Sequence, residues 1–582
     1  SKPRVSHHLD LCLVNPSMPR PLPSELPTFK TLDALGALAV PSSLASLLLL
    51  GMLAWSASAA AQERPSEDDM FGGPTRQTPA SPSSEQKSAG EQPSGEKSSA
   101  EKPAAATASP PASAPTPTKA SQGESRDAQI LGGTNTPMFT EEAAPDNPLT
   151  IGGQLYLRSQ ASASQGQPLG RAAFSTPSLL DVYLDARPND RVRGFVLARV
   201  FYDATLPSSG TPVANTQSLS ATNESAGAAD LSSLYGTATR GPHLVLDQMW
   251  LNFDIAHSVF VTAGTQHVRW GTGRFWAPTD YLHLIHRNPL DVFDARTGTA
   301  MLKLHVPIES KAWNFYGYAV TESDTATPTL NRVAGAARAE FVLGPAELGL
   351  GVFAQRNERA RFAADLSMGI GDVDVYSEVA LRDAGAIDRV HYAQDAVVPE
   401  TQNDGSSPSL ADVVEAYYPR YRESGYAPQV VAGLNYSHKY NDNDIWTVGA
   451  EYFYNSLGYG SPAPYPGLVL PRNVPLENPA TFFYLGKVYG AVFISFPAPY
   501  SLDNHSFTLS TLGNFSDRSF ISRFDYSLTV LTHVRFEAFF DWRFGNENGE
   551  FRFGASSLTL GDYNFSRAPA LFDFGLALRI AI

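Results

Sequence analysis

The stretch Val534–Phe544, VRFEAFFDWRF, alternates strictly between two kinds of side chain. One set of alternate positions carries Val, Phe, Ala, Phe, Trp and Phe, and the other carries Arg, Glu, Phe, Asp and Arg. Successive side chains of a β-strand point to opposite faces, so the stretch predicts a strand with one aromatic face and one charged face. Soluble sandwiches contain such strands too, and only the number, length and connections of the strands separate the two classes of fold.

Similar alternation recurs from Leu149 onward, with clear examples at 248–255, 372–382, 520–530 and 572–582. The chain offers about 18 candidate strands of roughly nine to twelve residues, whereas strands of soluble proteins average about five or six. A strand that crosses a bilayer at a tilt needs about nine to eleven residues. Strand length therefore favours a membrane protein.

The connections between these strands alternate between short and long. Short ones follow the even-numbered strands, at Pro188, Ala256, Glu309, Gly344, Gly371, Asn441 and Thr532. Long ones follow the odd-numbered strands, near 159–178, 204–243, 269–298, 384–425, 457–480 and 545–569. The short joint near Asn357 and the longer one at 497–504 are exceptions. Bacterial transmembrane barrels have short periplasmic turns and long external loops, so we predict an all-β fold, a transmembrane antiparallel β-barrel of about 16–18 strands over residues 149–582.

A closed barrel pairs every backbone polar group within hydrocarbon and leaves no sheet edge. The aromatic face of 534–544 would then contact lipid, and its charged face would contact water in the lumen. The charged side chains expected on the lumen wall are Arg158, Arg199, Arg523, Asp525, Arg535, Glu537, Asp541 and Arg543. They would line water and form cross-strand pairs. Wall side chains alone cannot fill a barrel of about 18 strands, so water or a folded-in loop must occupy its lumen.

The N-terminal part predicts export. Residues 44–55, LASLLLLGMLAW, form an apolar run followed by small residues, as in a signal peptide cleaved after Ala59 or Ala61. An uncleaved membrane anchor is the alternative. With Met18 as the true start, residues 1–61 would be a mis-called extension plus the signal peptide.

Residues 62–148 are rich in Ser, Ala, Pro, Glu and Lys, which predicts a disordered periplasmic linker. The single cysteine, Cys12, lies upstream of the predicted cleavage site, which excludes disulfides and thiol chemistry in an exported chain. The net charge of -15 argues against a nucleic-acid partner. We expect no cofactor and no enzymatic activity, because no nucleophile–base arrangement stands out.

The third long connection, within 262–306, concentrates charges of both signs. The residues predicted to surround a pore constriction are Arg269, Arg274, Asp280, His283, His286, Arg287, Asp291, Asp294 and Arg296. The aromatic residues that would anchor this connection against the wall are Trp270, Phe275, Trp276 and Tyr281. Such a loop either folds inward, where facing charges select solutes by size and sign, or forms an external lid. The two histidines with Asp280 permit a metal ion by spacing alone, and we predict no metal site.

The segment AGTQHVRWG at 263–271 leads into APTDYL at 277–282 and RNPLDVFD at 287–294, before a strand returns from Thr299. With this pattern the chain resembles the outer-membrane porins of Gram-negative bacteria. The resemblance covers 149–582 loosely and this connection more closely. It implies a third loop folded into the channel, a homotrimer, and outer-membrane lipid and small hydrophilic solutes as partners.

Two functional hypotheses follow. The first is a porin-like channel for diffusion of small hydrophilic solutes, narrowed by the third external loop. The alternative is a plugged barrel that serves as a surface adhesin, an assembly scaffold or a cell-wall tether, which the long connections at 204–243 and 384–425 would suit. A barrel protease or lipase would need a Ser, His or Asp constellation, which the sequence does not reveal.

Overall fold

The computed structural model describes residues 148–206, 241–283, 286–290, 296–321, 333–356, 358–398, 408–441, 444–561 and 563–581. The predicted extension, signal peptide and linker lie outside these residues, apart from Pro148 at the end of the linker. Within the described ranges, no helix combines the length and the apolar composition needed to cross a bilayer.

Eighteen long strands of the described chain form one antiparallel sheet. They are β1 Leu149–Ser164, β2 Pro177–Asn189, β3 Val192–Asp203, β4 His243–Ile255, β5 Val259–Gln266, β6 Thr299–Ile308, β7 Trp313–Val320, β8 Ala334–Leu343, β9 Ala346–Ala354, β10 Arg361–Ile370, β11 Val373–Asp383, β12 Tyr426–Lys439, β13 Ile445–Asn455, β14 Val488–Pro497, β15 His505–Asn514, β16 Ser519–Leu531, β17 Val534–Gly545 and β18 Ala570–Ala581. Each strand pairs with the next in sequence, and β18 pairs back onto β1, so the barrel is closed. The predicted all-β barrel is confirmed.

Short and long connections alternate around the barrel, and all the long loops lie at one end because consecutive strands are antiparallel. We call the two ends the long-loop end and the short-turn end. The connection at 355–360 is short and that at 498–504 is longer than its class, as the sequence indicates. The short connection at 515–518, at the long-loop end, is a further departure that the alternation does not predict.

Burial is inverted relative to a soluble barrel. On β17, the side chains of Phe540 and Trp542 are 41% and 52% exposed, whereas those of Asp541 and Arg543 are 0% and 3% exposed. Along this strand the charged residues therefore point inward, and the apolar residues other than Phe539 point outward. Further exposed apolar residues on other strands are Leu157, Val182, Met249, Leu251, Leu302, Leu366, Val379, Leu434, Val492, Leu509 and Leu576.

Aromatic side chains gather on the outer face near both ends of the barrel. Those near the short-turn end are Trp313, Phe315, Phe341, Tyr436 and Trp446. Those near the long-loop end are Phe362, Tyr426, Tyr452, Tyr454 and Trp542. Such girdles occur where a barrel meets the two lipid–water interfaces, with an apolar band between them. The outer surface is therefore that of a transmembrane β-barrel.

Three long loops pack together at the long-loop end, and we call their described parts, within 384–425, 456–487 and 546–569, the cap. The cap contains helices α1 Leu410–Tyr417 and α2 Tyr465–Val469, a two-residue pairing of Arg389–Val390 with Arg420–Tyr421, and a hairpin of Ala555–Leu560 with Tyr563–Arg567. Its own hydrophobic cluster consists of Val390, Val413, Val414, Tyr418, Tyr459, Tyr465, Leu468, Val469, Leu485 and Leu560. Three 3-10 turns, Leu169–Arg171, Glu309–Lys311 and Ala384–Ala386, and the short strand Ala173–Ser175 beside β1 complete the described elements.

Candidate functional site: the inward loop and the lumen wall

The described part of the connection between β5 and β6, residues 267–283, 286–290 and 296–298, lies against the inner face of the barrel, and we call it the inward loop. Its path depends on two glycines in the stretch WGTGRFW at 270–276. Gly271 has a φ of +95°, and a β-carbon there would lie 2.4 Å from Oε1 of Glu378. A β-carbon on Gly273 would lie 2.0 Å from the carbonyl oxygen of Trp276. Only glycine allows the backbone to approach the wall this closely at 271 and to fold this tightly on itself at 273.

Two buried wall carboxylates hold the backbone of the inward loop. Glu378 of β11 accepts hydrogen bonds from the N–H of Gly273 and from Oγ1 of Thr279, the latter at 2.8 Å. Glu451 of β13 accepts from three consecutive N–H groups, those of residues 274–276, at 2.7, 3.1 and 2.9 Å. Consecutive N–H groups form a concave anion-binding surface, and here a side chain of the same protein fills it.

Two tryptophans fix the inward loop to the wall by packing. The ring of Trp276 is fully buried, with its centroid 5.6 Å from that of Phe453 and 5.4 Å from that of Tyr489. Its indole N–H donates to the carbonyl oxygen of Phe483, in the cap, at 3.0 Å. Trp270, 1% exposed, packs edge-on against Tyr318 of β7. The loop thus touches two adjoining arcs of the wall, because the cluster of Trp270 includes residues of β6–β11 and the cluster of Trp276 includes residues of β11–β16.

Three of the predicted constriction residues come together in the inward loop. Oδ1 of Asp280 lies 3.1 Å from Nδ1 of His283, and Nη1 of Arg296 donates to Oδ2 of Asp280 at 3.2 Å. Burial opposes ionisation, but His283 and Arg296 hold the pKa of Asp280 well below its usual range. Asp280 is therefore a carboxylate whose charge is compensated within the loop.

His286 packs against the cap. Its ring stacks on Tyr484 of the cap, with centroids 4.1 Å apart. Burial, together with the positive charge of Arg382, lowers the pKa of His286 to about 3, so its imidazole is neutral at physiological pH. Among the described residues, no group of three or more His, Cys, Asp or Glu side chains is placed to hold a metal ion.

The remaining predicted constriction residues have separate surroundings. Arg269 donates to the carbonyl oxygen of Gly273, within the loop itself. The guanidinium carbon of Arg274 lies 3.5 Å from the centroid of the Phe493 ring. Arg287 is partly buried. Asp291 and Asp294 lie outside the described residues.

Charged side chains of the lumen wall form ion pairs on the inner face of β1–β4 and β16–β18. Arg199 pairs with Asp181 at 2.8 Å, and Arg523 pairs with Asp525 at 2.8 Å and with Asp541 at 3.4 Å. Further pairs join Arg543 to Asp573, Arg579 to Glu537, Arg199 to Asp247 and Arg193 to Asp185. All eight predicted wall residues lie on the inward face, as strand alternation places them.

One aromatic ring separates two of the wall cations. The guanidinium carbons of Arg158 and Arg523 lie 4.4 and 4.3 Å from the centroid of the Phe539 ring. Opposite this ring stands Gly575, where a β-carbon would lie 2.0 Å from Phe539. The missing side chain at 575 leaves the space in which Phe539 orients both guanidinium groups.

Several residues of this site were not predicted from the sequence. Glu378 lies within the alternating stretch 372–382 but was not linked to the inward loop, and Glu451 was not singled out. The pair formed by His267 and Asp247, whose Nε2 and Oδ1 atoms are 3.0 Å apart, was not predicted either. A sequence signal was available for Glu451, which is the single charged residue of its strand, Ile445–Asn455.

Comparisons with known proteins give distant structural similarities. No protein-family model and no curated protein matches the chain. OccK11 (OpdR) of Pseudomonas aeruginosa is similar over 75% of this chain and 96% of its own, with 8% identity and a TM-score of 0.39. A mutant of the Rh. blastica porin is similar over 75% of this chain and 100% of its own, with 8% identity and a TM-score of 0.34. Similarities this distant assign neither a family nor a solute.

The architecture itself supports a general conclusion. The described chain combines an even number of long strands, closure, an outward apolar band between aromatic girdles, and a charged inner wall. These are the properties of bacterial transmembrane barrels with wide lumens. The chain forms a porin-like β-barrel of the outer-membrane type.

Proposed function

We propose that the protein is an outer-membrane channel for passive diffusion of small hydrophilic solutes, narrowed by the inward loop. The observation that carries the proposal is the attachment of the loop backbone to Glu378 and Glu451 on the inner wall. A loop held by buried carboxylates inside a wide barrel reduces its free cross-section. The proposed constriction comprises Arg269, Arg274, Asp280, His283, His286, Arg287, Asp291, Asp294 and Arg296.

The paired charges of the wall support passage of polar solutes. Both signs occur close together around Arg523 and Arg199, so the wall offers hydrogen bonds without a large excess of either charge. Facing charges of this kind orient a polar solute and exclude apolar ones. In the cell, the predicted signal peptide and linker would place residues 62–148 in the periplasm, and assembly as a homotrimer is part of the same proposal.

The test is electrical. Purified protein covering residues 62–582 should give discrete conductance steps in planar bilayers. Replacing 272–296 by a short Gly-Ser linker should enlarge those steps, since it removes the narrowing segment. A folded, heat-modifiable preparation that never conducts would contradict the channel.

A plugged barrel is the second candidate, and the cap favours it. Three loops with a common hydrophobic cluster form a structured surface at the long-loop end, and wall side chains such as Asp541 and Arg523 are almost fully buried. A plugged barrel predicts absence of conductance in both the intact chain and the 272–296 replacement. A surface partner that binds the cap would then be sought by cross-linking on intact cells.

A further inference from the structure

A buried pair of carboxyl groups joins the cap to the barrel. Asp517, in the turn between β15 and β16, and Glu550, in the loop between β17 and β18, are 2% and 1% exposed. Nδ2 of Asn514 donates to Oδ2 of Asp517 and to Oε2 of Glu550, both at 2.9 Å. One amide group therefore bridges the two acids.

Other donors to the pair come from three further segments. The hydroxyl of Tyr465, in α2, donates to Asp517 at 3.0 Å, and the hydroxyl of Tyr489, in β14, donates to Glu550 at 2.7 Å. The N–H of Phe483 also donates to Glu550. The pair thus ties the 456–487 loop, the 546–569 loop and the barrel rim together.

The hydrogen-bond partners of this pair are uncharged. Arg518, next to Asp517 in the chain, is exposed. Arg552, two residues from Glu550, directs its guanidinium to the carbonyl oxygens of Gly545 and Ala570 and to the side chain of Gln165. Two ionised carboxylates in this position would repel each other in a dehydrated site, and one proton on the pair removes that repulsion.

We propose that Asp517 and Glu550 form a proton-dependent latch, which keeps the cap segment around Phe483 inside the lumen and releases it at alkaline pH. This segment contacts the inward loop directly, because the carbonyl oxygen of Phe483 accepts the indole N–H of Trp276. Release would remove that acceptor and withdraw Phe483 from the aromatic cluster it shares with Phe551. The consequence for conductance rests on the proposed channel function.

Electrostatics support this direction of change. Burial, and then the charge of Asp517, raises the pKa of Glu550 to about 8 from an ordinary value of 4.5, and burial also raises the pKa of Asp517. A raised pKa means that the closed latch binds the proton more tightly than the released one. The stabilisation of the closed latch by this proton is complete below pH 4.5 and is lost as the pH rises to about 8 and beyond.

Hydrogen–deuterium exchange tests the latch without requiring a channel. If Glu550 returns to its ordinary pKa on release, the opening equilibrium of residues 482–486 should increase about tenfold from pH 7 to pH 9. The increase is calculated after the exchange rates have been corrected for the pH dependence of intrinsic amide exchange. Glu550→Gln should abolish the increase, and Asp517→Asn should weaken it. Glu547→Gln removes the same charge from the same loop at a more exposed position and should leave the increase unchanged.

Planar-bilayer conductance is recorded on the same preparations. A wild-type conductance that grows with pH, together with a pH-independent Glu550→Gln variant, supports the latch within a channel. Equal pH dependence of exchange in the wild type and Glu550→Gln overturns the latch, whatever the conductance. If exchange in the wild type depends on pH as predicted but no variant conducts, the latch is supported and the channel function is refuted.

Discussion

The attachment of the inward loop to Glu451 gives the sharpest prediction. Glu451→Gln keeps the size of the side chain but leaves one acceptor oxygen for donors that now use two. Three backbone N–H groups, from residues 274–276, and the hydroxyl of Tyr376 donate to this carboxylate. The new amide NH2 faces those donors, so at least one buried N–H loses its partner.

The size of the effect follows from the cost of that lost partner. An unsatisfied buried donor costs about 1–3 kcal/mol, and the surviving bonds are weakened because the acceptor is no longer charged. The equilibrium between docked and released loop should therefore shift by about 5- to 150-fold toward release. The packing of Trp276 still opposes release, so the loop should visit the released state rather than remain in it.

Two assays report this shift. Single-channel recordings of Glu451→Gln should show a second, larger conductance level that is rare in the wild type. Trypsin should cleave after Arg269 or Arg274 more rapidly, because a released loop exposes both sites. Glu309→Gln makes the same chemical change on an exposed short turn and serves as the control. If Glu451→Gln matches the wild type in both assays, the carboxylate does not hold the loop.

Three further predictions concern packing, charge and pH. Trp276→Ala should lower the free energy of unfolding by about 3–5 kcal/mol, because the Trp276 ring is completely buried. The free energy is measured by denaturant titration in lipid vesicles. An effect below about 1 kcal/mol would mean that the inward loop is not part of the folded core. Arg523→Gln should shift the K+ to Cl− permeability ratio toward K+ by about fivefold, because a unit charge about 4 Å from a passing ion contributes about 1 kcal/mol in water. The ratio is measured from the reversal potential in a salt gradient. An unchanged reversal potential would mean that ions do not pass near Arg523. The ionised form of Asp280 contributes stability above its ordinary pKa of 3.8, and this stability is lost only as the pH falls through the lower folded value. Amide exchange of the inward loop in Asp280→Asn should therefore exceed that of the wild type at both pH 5 and pH 7, because the carboxylate that pairs with Arg296 is ionised at both, and equal exchange rates would contradict this assignment.

Much of the barrel follows from local pattern. The alternation at 534–544 is sufficient to assign Phe540 and Trp542 to lipid and Asp541 and Arg543 to the interior, because side-chain direction in a strand depends only on position. The number of strands and the positions of the short turns can be predicted for the same reason, because both depend on residues that are close in sequence. The exception at 515–518 arises because two long strands meet there in a tight turn. No long connecting segment separates them in the sequence, so the position of this turn at the long-loop end has no local signal.

The contacts of the inward loop were not predictable in this way. Glu378 and Glu451 lie 105 and 177 residues from the backbone groups they bind at Gly273 and Arg274. Their meeting depends on how the closed sheet is staggered, which no local pattern encodes. The cap did have a local signal, because Ser409 and Asp412 form the capping box of α1, yet its packing against two other loops is again a long-range property.

The pairing of β1 with β18 makes completion of the barrel an all-or-nothing event. The register joins Gln154 to Ala581 and Ser164 to Ala570, so the barrel cannot close until β18 has been synthesised. A product truncated before Ala570 would present two unpaired edges, on β1 and β17, to hydrocarbon that offers no hydrogen bonds. Such fragments should be degraded or aggregate before insertion, so synthesis of β18 is required for insertion of the whole barrel.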